Sequence, residues 1–394
     1  MVTDLEKQEF KQTMGIVADD WDVDEIQNHT KITTGSKNTQ DRIKDGLYPF
    51  FVRSKKIERI NTYSFDGESV VTAGDGDIGK IFHYINGKFD FHQRVYKISY
   101  FDNLLDGYFF YLYFKKYFLK RVMSLTAKST VDSIRMEMIA EMLIPLPEKQ
   151  EQLRIASTMR DIIELIKKLE IIIEKKKNIK QGTMQELLTG KRRLEGFNEK
   201  WKEKILPNIG KIISGGTPSS LKKEYWNGDI LWAVPTDITK LTNNYIEDTE
   251  RKITSIGLQE SSSELLPIGT ILITSRATIG ECAIAKKPIC TNQGFQNLVC
   301  NNKFDNIFIF YSILFNKKKL NEFTAGSTFK EISKKQMEKI SILVPIDISE
   351  QEEIAKILSD MDSEIKELET KRDKYIMIKN GMMQKLLTGE IRLT

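Results

Sequence analysis

Glu151–Leu194 reads EQLRIASTMRDIIELIKKLEIIIEKKKNIKQGTMQELLTGKRRL, and Glu350–Leu393 reads EQEEIAKILSDMDSEIKELETKRDKYIMIKNGMMQKLLTGEIRL. The two stretches align without a gap at a fixed offset of 199 residues, with about half of their positions identical. Chance does not produce such a match, so the chain is two tandem halves. The period is far too long for a solenoid. In the first copy Ile155, Met159, Ile162, Ile166, Leu169 and Ile173 recur at alternating spacings of four and three. In the second, Ile354, Leu358, Met361, Ile365 and Leu368 do the same, continuing weakly through Tyr375 and Met382. This is an a/d heptad seam, and it predicts two long helices. Pro145, Pro147 and Pro345 mark the approach to the helices, and Gly190 and Gly389 close them in a shared Leu-Leu-Thr-Gly ending.

Two similar seams in one chain are expected to pair, antiparallel, as a two-helix coiled coil. The alternative is that each helix packs only on its own globular domain. A seam of ~35–40 residues is ~55 Å long and would overrun such a domain. The predicted architecture is a first domain over 1–147, a helical spacer over 148–194, a second domain over 195–346 and a second spacer over 347–394.

The two globular segments are far less alike, yet landmarks recur in order. Trp21 and then Thr34-Gly35 correspond to Trp201 and then Ser214-Gly215-Gly216-Thr217-Pro218. The loop Thr72–Gly79 corresponds to Thr274–Gly280, and Phe91-His92-Gln93-Arg94 to Thr291-Asn292-Gln293-Gly294. Ser129-Thr130 corresponds to Ser327-Thr328. Strand-like runs cover Ser69–Thr72, Val95–Ser99, Thr270–Thr274 and Asn297–Cys300, and helical stretches cover Leu104–Met123 and Asn306–Phe323. Both domains therefore read as mixed α/β with long polar loops. A shared scaffold with divergent loops suits two modules that read different targets.

Composition is that of an ordinary soluble chain, with 40% hydrophobic and 29% charged residues. The net charge of +5 permits nucleic-acid binding without proving it. Cys282, Cys290 and Cys300 lack CxxC spacing, which argues against a disulfide framework and a zinc site. The polar, acidic start from Met1 to Phe10 is unlike a signal peptide, and no run approaches the ~18 apolar residues of a membrane span. A cytoplasmic protein without a membrane partner is expected.

This arrangement resembles the specificity subunit of type I restriction–modification systems. The helical repeat, with its Glu-Gln start and Leu-Leu-Thr-Gly ending, carries the resemblance most specifically. Ile213–Pro218 and the Ser275-Arg276-Ala277-Thr278-Ile279-Gly280 loop add to it. The first domain departs from the pattern, with Thr34–Asp41 in place of the Gly-Gly-Thr-Pro form. The resemblance implies two target-recognition domains, each reading one part of a bipartite, asymmetric site on double-stranded DNA. It implies that the spacers bind two methyltransferase (modification) subunits carrying S-adenosylmethionine, with two restriction/translocase subunits, using ATP and Mg²⁺, as an optional addition. No cofactor and no catalysis would reside in this chain.

The residues agree with the last expectation. No Asn/Asp-Pro-Pro-Tyr/Phe motif of an adenine methyltransferase is present, and the three histidines, His29, His83 and His92, have no metal-ligand spacing. Gly74–Lys80 imitates a phosphate-binding loop, but Ile81 stands where the Mg²⁺-binding hydroxyl belongs, and Asp75 and Asp77 would repel phosphate. A glycine-rich turn at a strand end is expected instead. Sequence alone leaves open a non-catalytic scaffold that assembles methyltransferase subunits without reading DNA.

Arg and Lys fork onto guanine, Asn and Gln onto adenine, and hydroxyls and amides position phosphates. The DNA-contact candidates are therefore Lys37, Asn38, Gln40, Arg53, Lys80, His92, Gln93 and Arg94 in the first domain, with Ser36 and Thr39 for phosphates. In the second they are Thr217, Ser275, Arg276, Thr278, Asn292, Gln293 and Gln296, with Lys222 and Lys223 for the backbone. Leu187, Leu188, Leu386 and Leu387 are candidates for partner contact, or for packing the helix ends on the domains.

Overall fold

The computed structural model describes residues 3–13, 17–125, 133–276, 278–322 and 331–393. The landmark pairs Ser129-Thr130 and Ser327-Thr328, and Ala277 of the second-domain loop, lie outside them. The chain divides into two units: residues 1–168 with 372–394, and residues 169–371. Each long helix, Lys149–Leu187 and Ile348–Lys385, therefore gives one half to each unit.

In the first unit a six-stranded sheet runs in the order Lys31–Thr34, Val95–Ser99, Phe65–Ala73, Phe82–Phe91, Tyr48–Phe51, Glu58–Ile60. All neighbours are antiparallel except Tyr48–Phe51, which pairs parallel with the end of Phe82–Phe91. The helix Gly107–Ser124 covers one face, where Phe109, Phe110, Phe114 and Phe118 pack on Val70, Phe82 and Ile98. Asp106 caps this helix by accepting from the backbone N–H groups of Tyr108 and Phe109 at 3.0 and 2.8 Å. The opposite face carries a second cluster of Phe51, Val71, Phe89, Phe91 and Val95.

The second unit repeats this plan with a broken sheet. One sheet runs Gly210–Ser214, Gln296–Cys300, Ile271–Ile273, Cys282–Ala285, Tyr245–Ile246; the other runs Arg251–Ile253, Trp226–Ala233, Ile289–Thr291. The parallel contact recurs, now between Trp226–Ala233 and Ile289–Thr291. The predicted helical stretch is interrupted at Asn316 into Asn306–Phe315 and Lys317–Glu322, and Asp305 caps the first piece through Phe308 N at 2.7 Å. In each unit a two-stranded ribbon ties the start of the domain to its end: Asp22–Glu25 with Leu143–Leu146, and Lys202–Ile205 with Ser341–Val344.

The Glu-Gln start of each long helix explains itself structurally. Gln152 accepts from Asp106 N at 2.8 Å and donates to the carbonyls of Leu104 and Pro147 at 2.7 and 2.8 Å. Gln351 repeats this with Asp305 N at 2.9 Å and the Pro345 carbonyl at 3.0 Å. Glu151 takes a two-pronged bond from Arg392 at 2.8 and 2.7 Å and one from the Trp21 indole at 3.3 Å. Glu350 takes the same from Arg193 at 2.7 and 2.9 Å and from Trp201 at 3.1 Å. Both glutamates are buried, and each clasp joins the head of one spacer copy to the tail of the other. Arg392, hydrogen-bonded to Glu151, holds that carboxyl below its usual pKa against the opposing pull of burial.

Within each unit the long helices pair antiparallel. In the second, Lys176 meets Glu364 at 2.6 Å, Lys177 meets Glu369 at 2.7 Å, and Lys180 pairs with Asp362. In the first, Arg154 donates to the Leu393 carbonyl at 3.1 Å. The seam does more than the heptad pattern predicts. Ile155, Met159, Ile162 and Ile166 pack at once on the other long helix and on the domain's aromatic helix, and Ile354, Leu358 and Met361 do likewise in the second unit. Pairing and docking on the domain, set as alternatives by the sequence, thus coexist. Leu169, Ile173 and Ile365 are buried and Leu368 is half-buried.

The helix-end leucines are corrected as partner contacts. Leu187 and Leu188 lie in the second unit's core, and Leu386 and Leu387 in the first's. Gly190 and Gly389 have φ of +67° and +75°, so the chain turns back there and folds these leucines inward.

Candidate nucleic-acid interface

In the first domain the loops after Lys31–Thr34, Tyr48–Phe51 and Phe65–Ala73 meet the loop before Val95–Ser99 at one sheet edge. Gly35 permits the approach, since a Cβ there would stand 2.0 Å from the Phe91 carbonyl. Lys37 bridges to His92, and its carbonyl accepts from Gln93 N at 2.8 Å. The Gln93 amide donates to Asn38 Oδ1 at 2.7 Å. Asp75 accepts from Arg53 at 3.1 Å and from Arg94 at 2.8 Å, so one carboxylate aims two exposed guanidiniums. Burial pushes the Asp75 carboxyl up, but the bonds and charges of Arg94 and Arg53 outweigh it and hold the pKa below its ordinary value.

The edge thus gathers Lys37, Asn38, Arg53, Gln93 and Arg94. Ser36, Thr39 and Gln40 are exposed beside it. Lys80 stands on the neighbouring turn, 3.7 Å from Asp77. His92 is buried, with its Nδ1 accepting from Arg94 N at 3.0 Å, so it shapes the loop instead of meeting a base. Burial and the Arg53 charge lower its pKa. Gly74–Lys80 is a hairpin turn between antiparallel strands, with Gly76 and Gly79 at φ of +75° and +66°. No helix follows it to complete a phosphate-binding loop.

The second domain builds the same edge. A Cβ on Gly215 would stand 1.8 Å from the Asn292 carbonyl. Thr217 Oγ1 donates to Gln293 Oε1, the counterpart of the Asn38–Gln93 link. Asn292 Oδ1 accepts from Gly294 N at 2.9 Å. Arg276 occupies the place of Asp75: each makes an isolated bridge to the segment after the helices, Arg276 with Glu331 and Asp75 with Ser133. The Arg276 guanidinium lies 2.8 Å from the Glu331 carboxylate, and Thr278 is exposed beside it.

Two candidates fail here. Ser275 and Gln296 are buried: Ser275 N bonds the Gly294 carbonyl at 2.7 Å, and Gln296 accepts from Ser214 at 2.8 Å. Both stand in stretches buried on either face, Ile271–Ser275 and Gln296–Leu298. Lys222 and Lys223 are exposed on a separate turn, where Lys222 donates to the Tyr225 hydroxyl at 2.6 Å, a bond that raises its pKa. Sequence reasoning missed Asp75 and Glu331 as the carboxylates that orient the arginines. Asp75 between two glycines at a strand end was the available signal. Burial pushes the thiols of Cys290 and Cys300 up to about 12, so both stay protonated at neutral pH.

A model of the type I restriction modification DNA specificity domain matches residues 18–181 and again 198–376. The chain belongs to the type I restriction–modification DNA specificity family. The specificity subunit of the type I restriction enzyme MjaIX of Methanocaldococcus jannaschii is 40% identical over 166 residues, which cover 41% of this chain but only 38% of the relative. The putative MjaX specificity subunit of the same organism is 27% identical over a 438-residue alignment, covering 98% of this chain and 97% of the relative. The fold is that of the S subunit of a type I system from M. genitalium, with a TM-score of 0.66 at 20% identity, covering 94% of this chain and 96% of that one.

Proposed function

We propose that each domain reads one part of a bipartite, asymmetric DNA site through the loop edge described above. One observation carries this reading. Two equivalent frames, closed by Gly35 and Gly215 and tethered by Gln93 and Gln293, present unlike polar side chains at matching positions. The phosphate-type groups position such an edge, and the arginines and amides specify it.

The long helices act as a ruler and dock two methyltransferase subunits, which bring S-adenosylmethionine and methylate adenine; restriction subunits with ATP and Mg²⁺ join where a system includes them. A helix of ~55 Å bounds the gap near 16 base pairs of ~3.4 Å each. Four residues added to one helix lengthen it by ~6 Å, so the methylated motif should keep its half-sites with a gap wider by one or two base pairs. An unchanged gap sinks the ruler. The central test is an exchange of residues 195–346 for those of another family member, read by methylome sequencing. One half of the motif should change. Changes in both halves would refute independent reading, and binding without sequence preference would favour a plain scaffold.

A further inference from the structure

Lys97 sits in the middle of Val95–Ser99, opposite Thr33 on one side and Val71 on the other. It is only 6% exposed. Among the described residues neither it nor Lys31 forms an ion pair, and the Lys97 ammonium has no hydrogen-bond acceptor. It lies instead 3.5 Å from the centre of the Phe65 ring. Lys31 and Lys97 flank the exposed Tyr100 ring at 5.9 and 5.8 Å, and Tyr100 packs edge-on against Phe65 with centroids 5.5 Å apart. Tyr100 also adopts φ of +57°, a backbone conformation that non-glycine residues rarely take.

Three costs therefore meet on one patch: a buried cation without an anion, a second cation of like charge beside it, and a strained residue holding an exposed ring. Burial first, and Lys31 second, lower the pKa of Lys97 to about 8. The other domain has neither the buried cation nor the strained ring, and Lys211, which stands where Lys31 does, is ion-paired with Glu264 at 3.3 Å. Asn297, which pairs with Ile213 as Lys97 pairs with Thr33, is neutral and donates to the Ile213 carbonyl at 3.0 Å and the Thr291 hydroxyl at 2.8 Å. The fold does not need a lysine there.

We propose that Lys97 and Lys31, framed by Phe65 and Tyr100, form a phosphate-binding subsite that takes a backbone phosphate of the bound DNA. It rests on the reading of this domain as a DNA reader. Lys97 stands two residues into the strand that leaves the Gln93-Arg94 turn, ~7 Å from its first residue at strand spacing. A duplex seated at the loop edge can therefore bring a flanking phosphate to it.

The folded pKa of Lys97 lies below its ordinary value of 10.5. Between about pH 8 and 10.5 the unfolded chain binds more protons there, so this lysine lowers stability below that window and ceases to do so above it. Lys97→Met should therefore raise Tm at pH 7 while weakening DNA binding. A purely structural lysine would not move both in opposite directions. In the complex with the methyltransferase subunit, Lys97→Met and Lys31→Met should each reduce the slope of log affinity against log salt by about 1, equally for cognate and unrelated duplexes, with the methylated motif unchanged. Lys31 is exposed, so its variant reports even if Lys97→Met misfolds.

Wild-type slopes in both variants overturn the proposal. So does a Tm increase from inorganic phosphate alone that Lys97→Met abolishes while the DNA slope stays unchanged, because the subsite then serves a free anion. A wild-type complex that binds DNA without motif preference, yet loses slope in both variants, would instead sink the reading of sequence and leave this subsite standing.

Discussion

The two recognition domains share a frame and differ most at one position on it. After the third strand of the edge, the first domain places Asp75 and the second places Arg276, both on the same bridge. In the first, the carboxylate is fixed on the turn and the arginines, Arg53 and Arg94, come from neighbouring loops. In the second, the arginine is on the turn and Glu331 faces it. Each domain thus carries a carboxylate-oriented guanidinium, built from opposite sides. The frame dictates that an arginine be aimed outward, and leaves open from which loop it comes.

The largest expected effect tests what the domains share. Arg193→Ala leaves the Glu350 carboxylate, 1% exposed, buried without its cation, and Arg392→Ala does the same to Glu151. Each should cost ~3–5 kcal/mol, seen as a lower Tm. Unequal losses would show that the two clasps are not equivalent. The Glu151 clasp also predicts a pH dependence. Its folded pKa is depressed below the ordinary 4.5, so its contribution is complete above that value and is lost as pH falls through the folded one. Acid titration of Tm should lose this dependence in Arg392→Ala.

Next come the positions where the domains differ. Arg276→Ala should weaken specific binding by ~1–3 kcal/mol and relax one base of its half-site. If affinity and motif both hold, Arg276 only braces Glu331. Asp75→Asn keeps both arginines but frees their direction, at roughly 1 kcal/mol of specific affinity, with relaxation confined to the other half-site. The smallest effect belongs to the helix pair. Lys177→Ala removes a surface ion pair with Glu369 and should change stability by less than about 1 kcal/mol, decreasingly so at high salt.

The repeat made much of this architecture legible. The heptad spacing marked both helices, and Thr34-Gly35, Ser214-Gly215 and the shared Gln93/Gln293 marked the loops that converge. What escaped was what single-chain periodicity does not encode. Both faces of the sheets are covered, so alternation did not reveal that Ser275, Gln296 and His92 point inward. Leu187, Leu188, Leu386 and Leu387 stood open between partner contact and packing on the domains, because the turn-back at Gly190 and Gly389 depends on φ. The clasps join residues separated by more than 100 positions, and no local pattern announces them.

Those clasps also say something about exchange. The acid and the guanidinium of each, Glu350 with Arg193 and Glu151 with Arg392, belong to the spacers; each domain adds the indole of Trp201 or Trp21, and the first also adds Asp20, which accepts from Arg392 at 2.8 Å. The spacers thus offer two sockets of one pattern, each met by an aromatic N–H near the start of its domain and by the backbone that Gln152 or Gln351 binds. A foreign module bearing such an indole would find its seat already wired, whatever bases its loops were shaped to read.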